Sequence, residues 1–218
     1  MSFSCVDCLK KPCRSHDLDQ LPKGCPTAAC DPEQVFAMYS NEEKEMLRHA
    51  ALVESGGYGR HTRVEEIMHF AYRMGYKKIG IAFCGGLINE ANTFAKVLRA
   101  NGFEVESVCC KVCSIPKSKL GISNEEQVRP GQTEVMCNPG YQAEYLNAAG
   151  VDLKVLLGLC VGHDTEFLMR AKPPVTVLAA KDRALGHNPL AALYCSGGYF
   201  KRISTFIQRL KSGEDWKP

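Results

Sequence analysis

Most features that would announce a function at once are missing from these 218 residues. No stretch approaches the roughly 18 consecutive apolar residues of a membrane span, so no membrane partner is expected. The N-terminal "MSFSCVDCLKKPC" has neither the charged start nor the apolar run of a secretory leader, and the chain reads as cytoplasmic. A net charge of +3 is too small to argue for nucleic acid. The turn "CGGLINEAN" lacks the G-x-G-x-x-G dinucleotide fingerprint, and there is no P-loop, G-x-S-x-G or H-E-x-x-H. The six histidines are scattered, which argues against a histidine-rich hydrolytic zinc centre. Internal repeats and low-complexity tracts are absent as well.

What the chain does have is cysteine, 12 of them. In a reducing compartment a disulfide framework is not expected, and metal or redox chemistry is. The remaining composition, 45% hydrophobic and 23% charged, is that of an ordinary globular protein long enough to bury a core.

Residues 1–32 stand apart, with five cysteines, five Pro or Gly residues between 12 and 32, and no apolar periodicity. Such a segment cannot order itself on a core, so a metal knuckle is expected. Its ligands would be Cys5, Cys8, Cys13 and Cys25, in the pattern Cys-x2-Cys-x4-Cys-x11-Cys-Pro. The pairing of thiols suits zinc, whereas the closing Cys-Pro suits an iron–sulfur run; both stay open, and His16 or Cys30 can replace one ligand. The alternative is a disordered, redox-labile tail.

Residues 33–218 read as one α/β domain, with a helical lead-in over 33–75 and a sheet core over 76–218. Asp31-Pro32-Glu33-Gln34 opens a helix with an N-cap, Pro at the first helical position and a capping box. It runs to about Leu52 with a break near Ser40, and a second helix spans about 62–74. Strands follow at 77–84, 103–110, 152–160 and 174–180, alternating with helices at about 88–100, 139–149, 164–171 and 198–211. Short apolar strands alternating with helices predict a parallel sheet covered on both faces.

The ends of those strands carry the chemistry. The first ends at Cys84, the second at Cys109-Cys110, and the third at Cys160 with His163 and Asp164 behind it. The fourth ends at Lys181-Asp182-Arg183, and Cys137 returns the chain to the same edge at a helix start. In an open parallel sheet this carboxyl edge is where ligands bind. Any one of these cysteines alone reads as a small buried hydrophobe. Four segments converging on one edge point instead to a thiolate-bound metal or cluster, with Cys84, Cys110, Cys137 and Cys160 as the set. Strand alternation sends Cys109 and Cys110 to opposite faces, so only one of them is expected to serve. His163, Asp164 and Lys181 are the candidates for moving protons; the alternative for each is a local helix or turn role. The connection 111–138 carries Lys111, Lys117, Lys119 and Arg129, and reads either as a basic lid or as a solvated loop.

The runs "CVDC", "KKIGIAFCGGL", "GFEVESVCCK", "EVMCNPGYQAEYLN", "LLGLCVGHDTEF" and "AAKDRALGHNP" together resemble an uncharacterised, cysteine-rich family with a metal-binding label, domain-of-unknown-function family 1847. The resemblance covers nearly the whole chain. It implies a bacterial or archaeal cytoplasmic protein, often from anaerobes, and supports the two cysteine sets named above. The combined expectation is a three-layer α/β fold, Rossmann- or flavodoxin-like. Its sheet is mostly parallel, four-stranded or slightly larger, and preceded by helices and the metal knuckle. Functionally it is an iron–sulfur protein with a [4Fe–4S] cluster at the sheet edge and a second zinc or iron–sulfur site at the N-terminus. It would serve redox or sulfur-related chemistry with a small molecule or a redox partner protein. The alternatives are an electron-transfer or redox-sensing module and a zinc-only binding protein.

Overall fold

The computed structural model describes residues 4–214, which fall into two compact units divided between Gly56 and Gly57. In the first unit a 3-10 turn, Cys5–Asp7, precedes three helices: α1 (Pro12–Ser15), α2 (Pro32–Ala37) and α3 (Asn41–Gly57). The Asp31 carboxylate caps α2 by accepting from the Glu33 and Gln34 N–H groups. The expected break near Ser40 is a new helix start. Ser40 N–H donates to the Glu43 carboxylate (2.7 Å) while Glu43 N–H donates to Ser40 Oγ (3.2 Å). From there α3 continues to Gly57, beyond the expected stop at Leu52.

The second unit opens with α4 (Arg63–Arg73), held by a Thr62–Glu65 capping box. It continues as β1 (Lys78–Phe83), α5 (Ile88–Ala100), β2 (Glu104–Cys109), α6 (Pro139–Ala148), β3 (Leu153–Leu157), α7 (His163–Arg170) and β4 (Val175–Ala179). The sheet is parallel throughout, in the order β2-β1-β3-β4. This is the doubly wound arrangement with its switch point between β1 and β3. Alternation along the strands divides the core into two layers. Ile79, Ile81, Phe83, Leu153, Val155 and Leu157 face α4 and α5, packing with Ile67, Phe94 and Leu98. Ala82, Cys84, Val108, Cys110 and Leu156 face α6 and α7, packing with Ala143, Leu146 and Phe167. Small residues set the depth of that second layer: a Cβ on Gly80 would lie 2.9 Å from Val151 Cγ2 and 3.1 Å from Leu146 Cδ2. The exposed edge at β4 is covered in part by Arg63, which donates to Val177 O (3.3 Å) and Thr176 Oγ1 (2.9 Å).

Beyond β4 an unexpected short helix, α8 (Leu190–Tyr194), forms, and the single helix expected over 198–211 is replaced by a 3-10 turn (Lys201–Thr205) and α9 (Phe206–Lys211). No described helix is long and apolar enough to cross a membrane. One substitution tests how tightly the strand ends are built. Gly158 follows β3 with φ +66°, and a Cβ there would meet Leu87 Cδ1 at 2.0 Å. Gly158→Ala is expected to destabilise the protein by about 2–4 kcal/mol through left-handed strain and overpacking, read as a lowered denaturant midpoint.

Candidate functional site

The carboxyl ends of β1, β2 and β3 and the entry to α6 bring thiols together around the switch point. Cys84 follows β1 directly and lies in the α6-facing layer with Cys110. Cys110, 2% exposed, continues β2, and its N–H donates to Phe83 O (2.9 Å). Cys109 is partly buried and packs against both core layers, whereas Cys110 lies wholly in the α6-facing layer with Cys84 and is the member of the pair that joins the site. Cys137 precedes the N-cap of α6, Asn138, whose side chain accepts from Tyr141 N–H and whose own N–H donates to Cys110 O (2.7 Å).

The Cys110 thiol is hydrogen-bonded to both Cys84 and Cys137. Its sulfur also accepts the Gly85 N–H at 3.3 Å. These bonds distribute charge unequally. The Cys110 hydrogen bond lowers Cys84 from the usual thiol value of 9.0 to about 4, against the effect of burial, with help from Gly86 N–H and the Lys181 ammonium. The same partner lowers Cys137 to about 5, again against burial, with Lys111 and His163 contributing. Cys110 itself is pushed far up, by its hydrogen bonds to Cys137 and Cys84 and then by burial. Of the three, Cys110 is the thiol that keeps its proton, while Cys84 and Cys137 are the ones favoured to ionise.

Cys160 sits just outside that trio. Its sulfur accepts from Arg183 Nη2 at 3.2 Å, and Arg183 is held above its ordinary value first by Cys160, with Cys84 and Cys137 adding to the effect. Lys181 Nζ and Cys84 Sγ lie 3.6 and 4.0 Å from where a Cβ on Gly86 would be. Three cations, Lys111, Lys181 and Arg183, thus face the thiols. His163, the first residue of α7, acts on Cys137 and lines a cavity of about 550 Å³ with Cys137, Tyr141, Glu166 and Arg170. Asp164 accepts Thr165 N–H (2.8 Å), a local helix contact. Asp182 is a turn residue, accepting from Ala184 and Leu185 N–H.

The connection 111–138 is folded on itself around Glu134, whose carboxylate accepts from Lys117 Nζ, Val128 N–H and Arg129 N–H. Lys111 Nζ donates to Val135 O (2.6 Å). Two of the cations that suggested a basic lid therefore stitch the loop together.

In the N-terminal unit Cys5 opens its 3-10 turn, Cys13 lies in α1, and Cys25 is buried. Burial raises the Cys25 thiol, but hydrogen bonds from Thr27 and Ala28 outweigh it and leave the group below its ordinary value. Among the described residues, no group of three or more His, Cys, Asp and Glu side chains is arranged to hold a metal ion.

The profile of a family described as protein of unknown function, DUF1847, matches residues 25–178. The chain belongs to the DUF1847 family. A Methanocaldococcus jannaschii protein described as uncharacterized is 44% identical over 172 residues, covering 78% of this chain and 86% of the relative. No solved structure matches significantly. In this DUF1847 chain the matched region contains Cys25, Cys84, Cys110, Cys137 and Cys160, while Cys5, Cys8 and Cys13 precede it. Lys181 and Arg183 follow it.

Two participants escaped the sequence reading. Gly85 contributes a backbone N–H that no side-chain pattern reveals. Gln142 is fully buried on α6, and its signal was available: an amide at a helical position flanked by Ala143 and Leu146 on the core side.

Proposed function

We propose that the carboxyl edge of the sheet takes up an iron–sulfur cluster, [4Fe–4S], and that the protein serves redox or sulfur-related chemistry. The observation that carries this reading is the packing of Cys84, Cys110 and Cys137 in one layer at the strand ends, fringed by Lys111, Lys181 and Arg183. The donor set fits the group: thiolates are the ligands that such clusters prefer, and the cations offset the negative charge of a thiolate-ligated centre. Loading requires Cys110 to release its proton and the sulfurs to turn from one another toward the metal.

Cys84, Cys110 and Cys137 would hold the cluster, with Cys160 as the fourth thiol. When bound, the cluster supplies an electron-transfer centre or, at an iron without a cysteine, a Lewis acid. The Arg183–Cys160 hydrogen bond favours the three-thiol form, and hence chemistry over simple electron transfer. Lys181 would hold a proton beside Cys84, and His163 would do so at the cavity wall beside Cys137; Asp164 is engaged with its own helix. In the N-terminal unit Cys5, Cys8, Cys13 and Cys25 would form a second site for zinc or a cluster. The N–H groups directed at Cys25 suit a thiolate there.

Anaerobic purification with iron, sulfide and zinc quantification tests this reading. We expect a brown protein with visible absorption and about four irons at the sheet edge. Replacing Cys137 with Ser should remove most of that iron. A colourless, iron-free protein after anaerobic reconstitution would sink the reading.

A further inference from the structure

We infer that Gln142 is a positioning residue that fixes Cys84, Cys110 and Cys137 relative to one another; its bearing on the cluster rests on the reading above. Gln142 lies one turn inside α6 and is fully buried. Its Nε2 donates to Phe83 O (3.2 Å), the carbonyl immediately before Cys84. The same nitrogen donates to Val108 O (2.8 Å), two residues before Cys110. One amide thus bridges the carboxyl ends of β1 and β2 at the point where both strands deliver their thiols. The third thiol is tied through the backbone of the same helix. Gln142 N–H donates to Asn138 O (3.1 Å), and Asn138, next to Cys137, donates its N–H to Cys110 O (2.7 Å).

Stability alone does not account for an amide at this position. Its surroundings are Ala143, Leu146 and the apolar α6-facing layer, where a methionine or leucine of similar volume would pack. The amide also leaves Oε1 buried with no hydrogen-bond partner among the described residues, a destabilising feature that an apolar side chain would lack. What the amide adds is the two hydrogen bonds to the thiol-bearing strand ends. A small change in their separation alters whether Cys110 can lie against both Cys84 and Cys137.

The test uses the full-length reduced protein and the variants Gln142→Met and Gln142→Leu. Phenylarsine oxide, which bridges neighbouring thiols, is the metal-independent probe, and peptide mapping locates it. We expect both variants to keep or raise the wild-type Tm and to bind the arsenical at Cys84, Cys110 and Cys137 at least tenfold more weakly. Labelling of the N-terminal thiols should be unchanged. Binding within twofold of wild type in both variants overturns the proposal. So does a loss that merely tracks a lower Tm, since that marks a structural role. Iron analysis separates the two readings. If the wild type takes up no iron but the variants still lose the arsenical, the positioning role stands and the cluster falls. If wild type and variants load iron equally with the same absorption spectrum, the positioning role falls.

Discussion

Replacing Cys110 with alanine is expected to turn a flat pH profile of Cys84 alkylation into a steep one. In the metal-free protein Cys84 is lowered to about 4, first by the Cys110 hydrogen bond. Between pH 6 and 8 it is already a thiolate, so its rate with iodoacetamide should hardly change across that range. Without Cys110 the largest lowering influence is gone, while burial still opposes ionisation. The thiol then titrates above the window, and its rate should climb roughly tenfold per pH unit, about 100-fold from pH 6 to 8. The absolute rate is less informative than the slope, because nucleophilicity falls as the thiol becomes more acidic. Mass spectrometry of the Cys84 peptide over a pH series gives the slope directly. A flat profile in the variant would mean that Lys181 and Gly86 suffice. A steep profile in the wild type would mean that Cys110 does not hold Cys84 ionised. The same substitution leaves Gly85 N–H without its sulfur acceptor, so a stability loss of about 1–3 kcal/mol should accompany it.

The sheet and its thiol edge were legible in the sequence because both are local patterns. Apolar runs such as "KIGIAF" and "LKVLL" are too short for core helices, and glycines or polar turns punctuate them, so the alternation of strand and helix followed. The parallel sense then placed Cys84, Cys110 and Cys160 on one edge. What was not legible depends on contacts far apart in the chain. Cys160 meets Arg183 across 23 residues, and Gln142 reaches Phe83 across 59. Neither distance leaves a spacing to read. The loop 111–138 was judged by its positive charges, whereas the residue that organises it is the acid Glu134. The C-terminal stretch misled for a different reason. Tyr194, Tyr199 and Ile207 are all exposed, so the apolar periodicity there has no core to face. Within the expected 198–211 helix, the first part is a 3-10 turn, Lys201–Thr205, and only Phe206–Lys211 is α-helical.

The stability of the metal-free protein should peak near pH 9 through the thiol trio, and the sign follows from each shift. Cys84 and Cys137 are depressed in the folded state, to about 4 and about 5. Their contribution is fully present above the unfolded thiol value and is lost as pH falls through the folded values. Across roughly pH 5–9 the unfolded chain therefore binds more protons at these positions than the folded one, and stability rises with pH. Cys110 acts oppositely, because its folded value is raised. Above about pH 9 the unfolded chain has lost all three protons while the folded protein retains the one on Cys110, so stability falls again. The thiols titrate as a group, which makes the peak a property of the trio rather than of any one residue. Comparing urea midpoints of the reduced, chelator-treated wild type with those of a Cys84→Ser, Cys110→Ser, Cys137→Ser variant cancels every other titrating group. The difference between the two proteins should grow from pH 5 to 9 and shrink beyond it. A difference that is level with pH would show that folding does not shift the titration of the three sulfurs. Metal loading should flatten the same curve, since ligated thiolates no longer bind protons in this range.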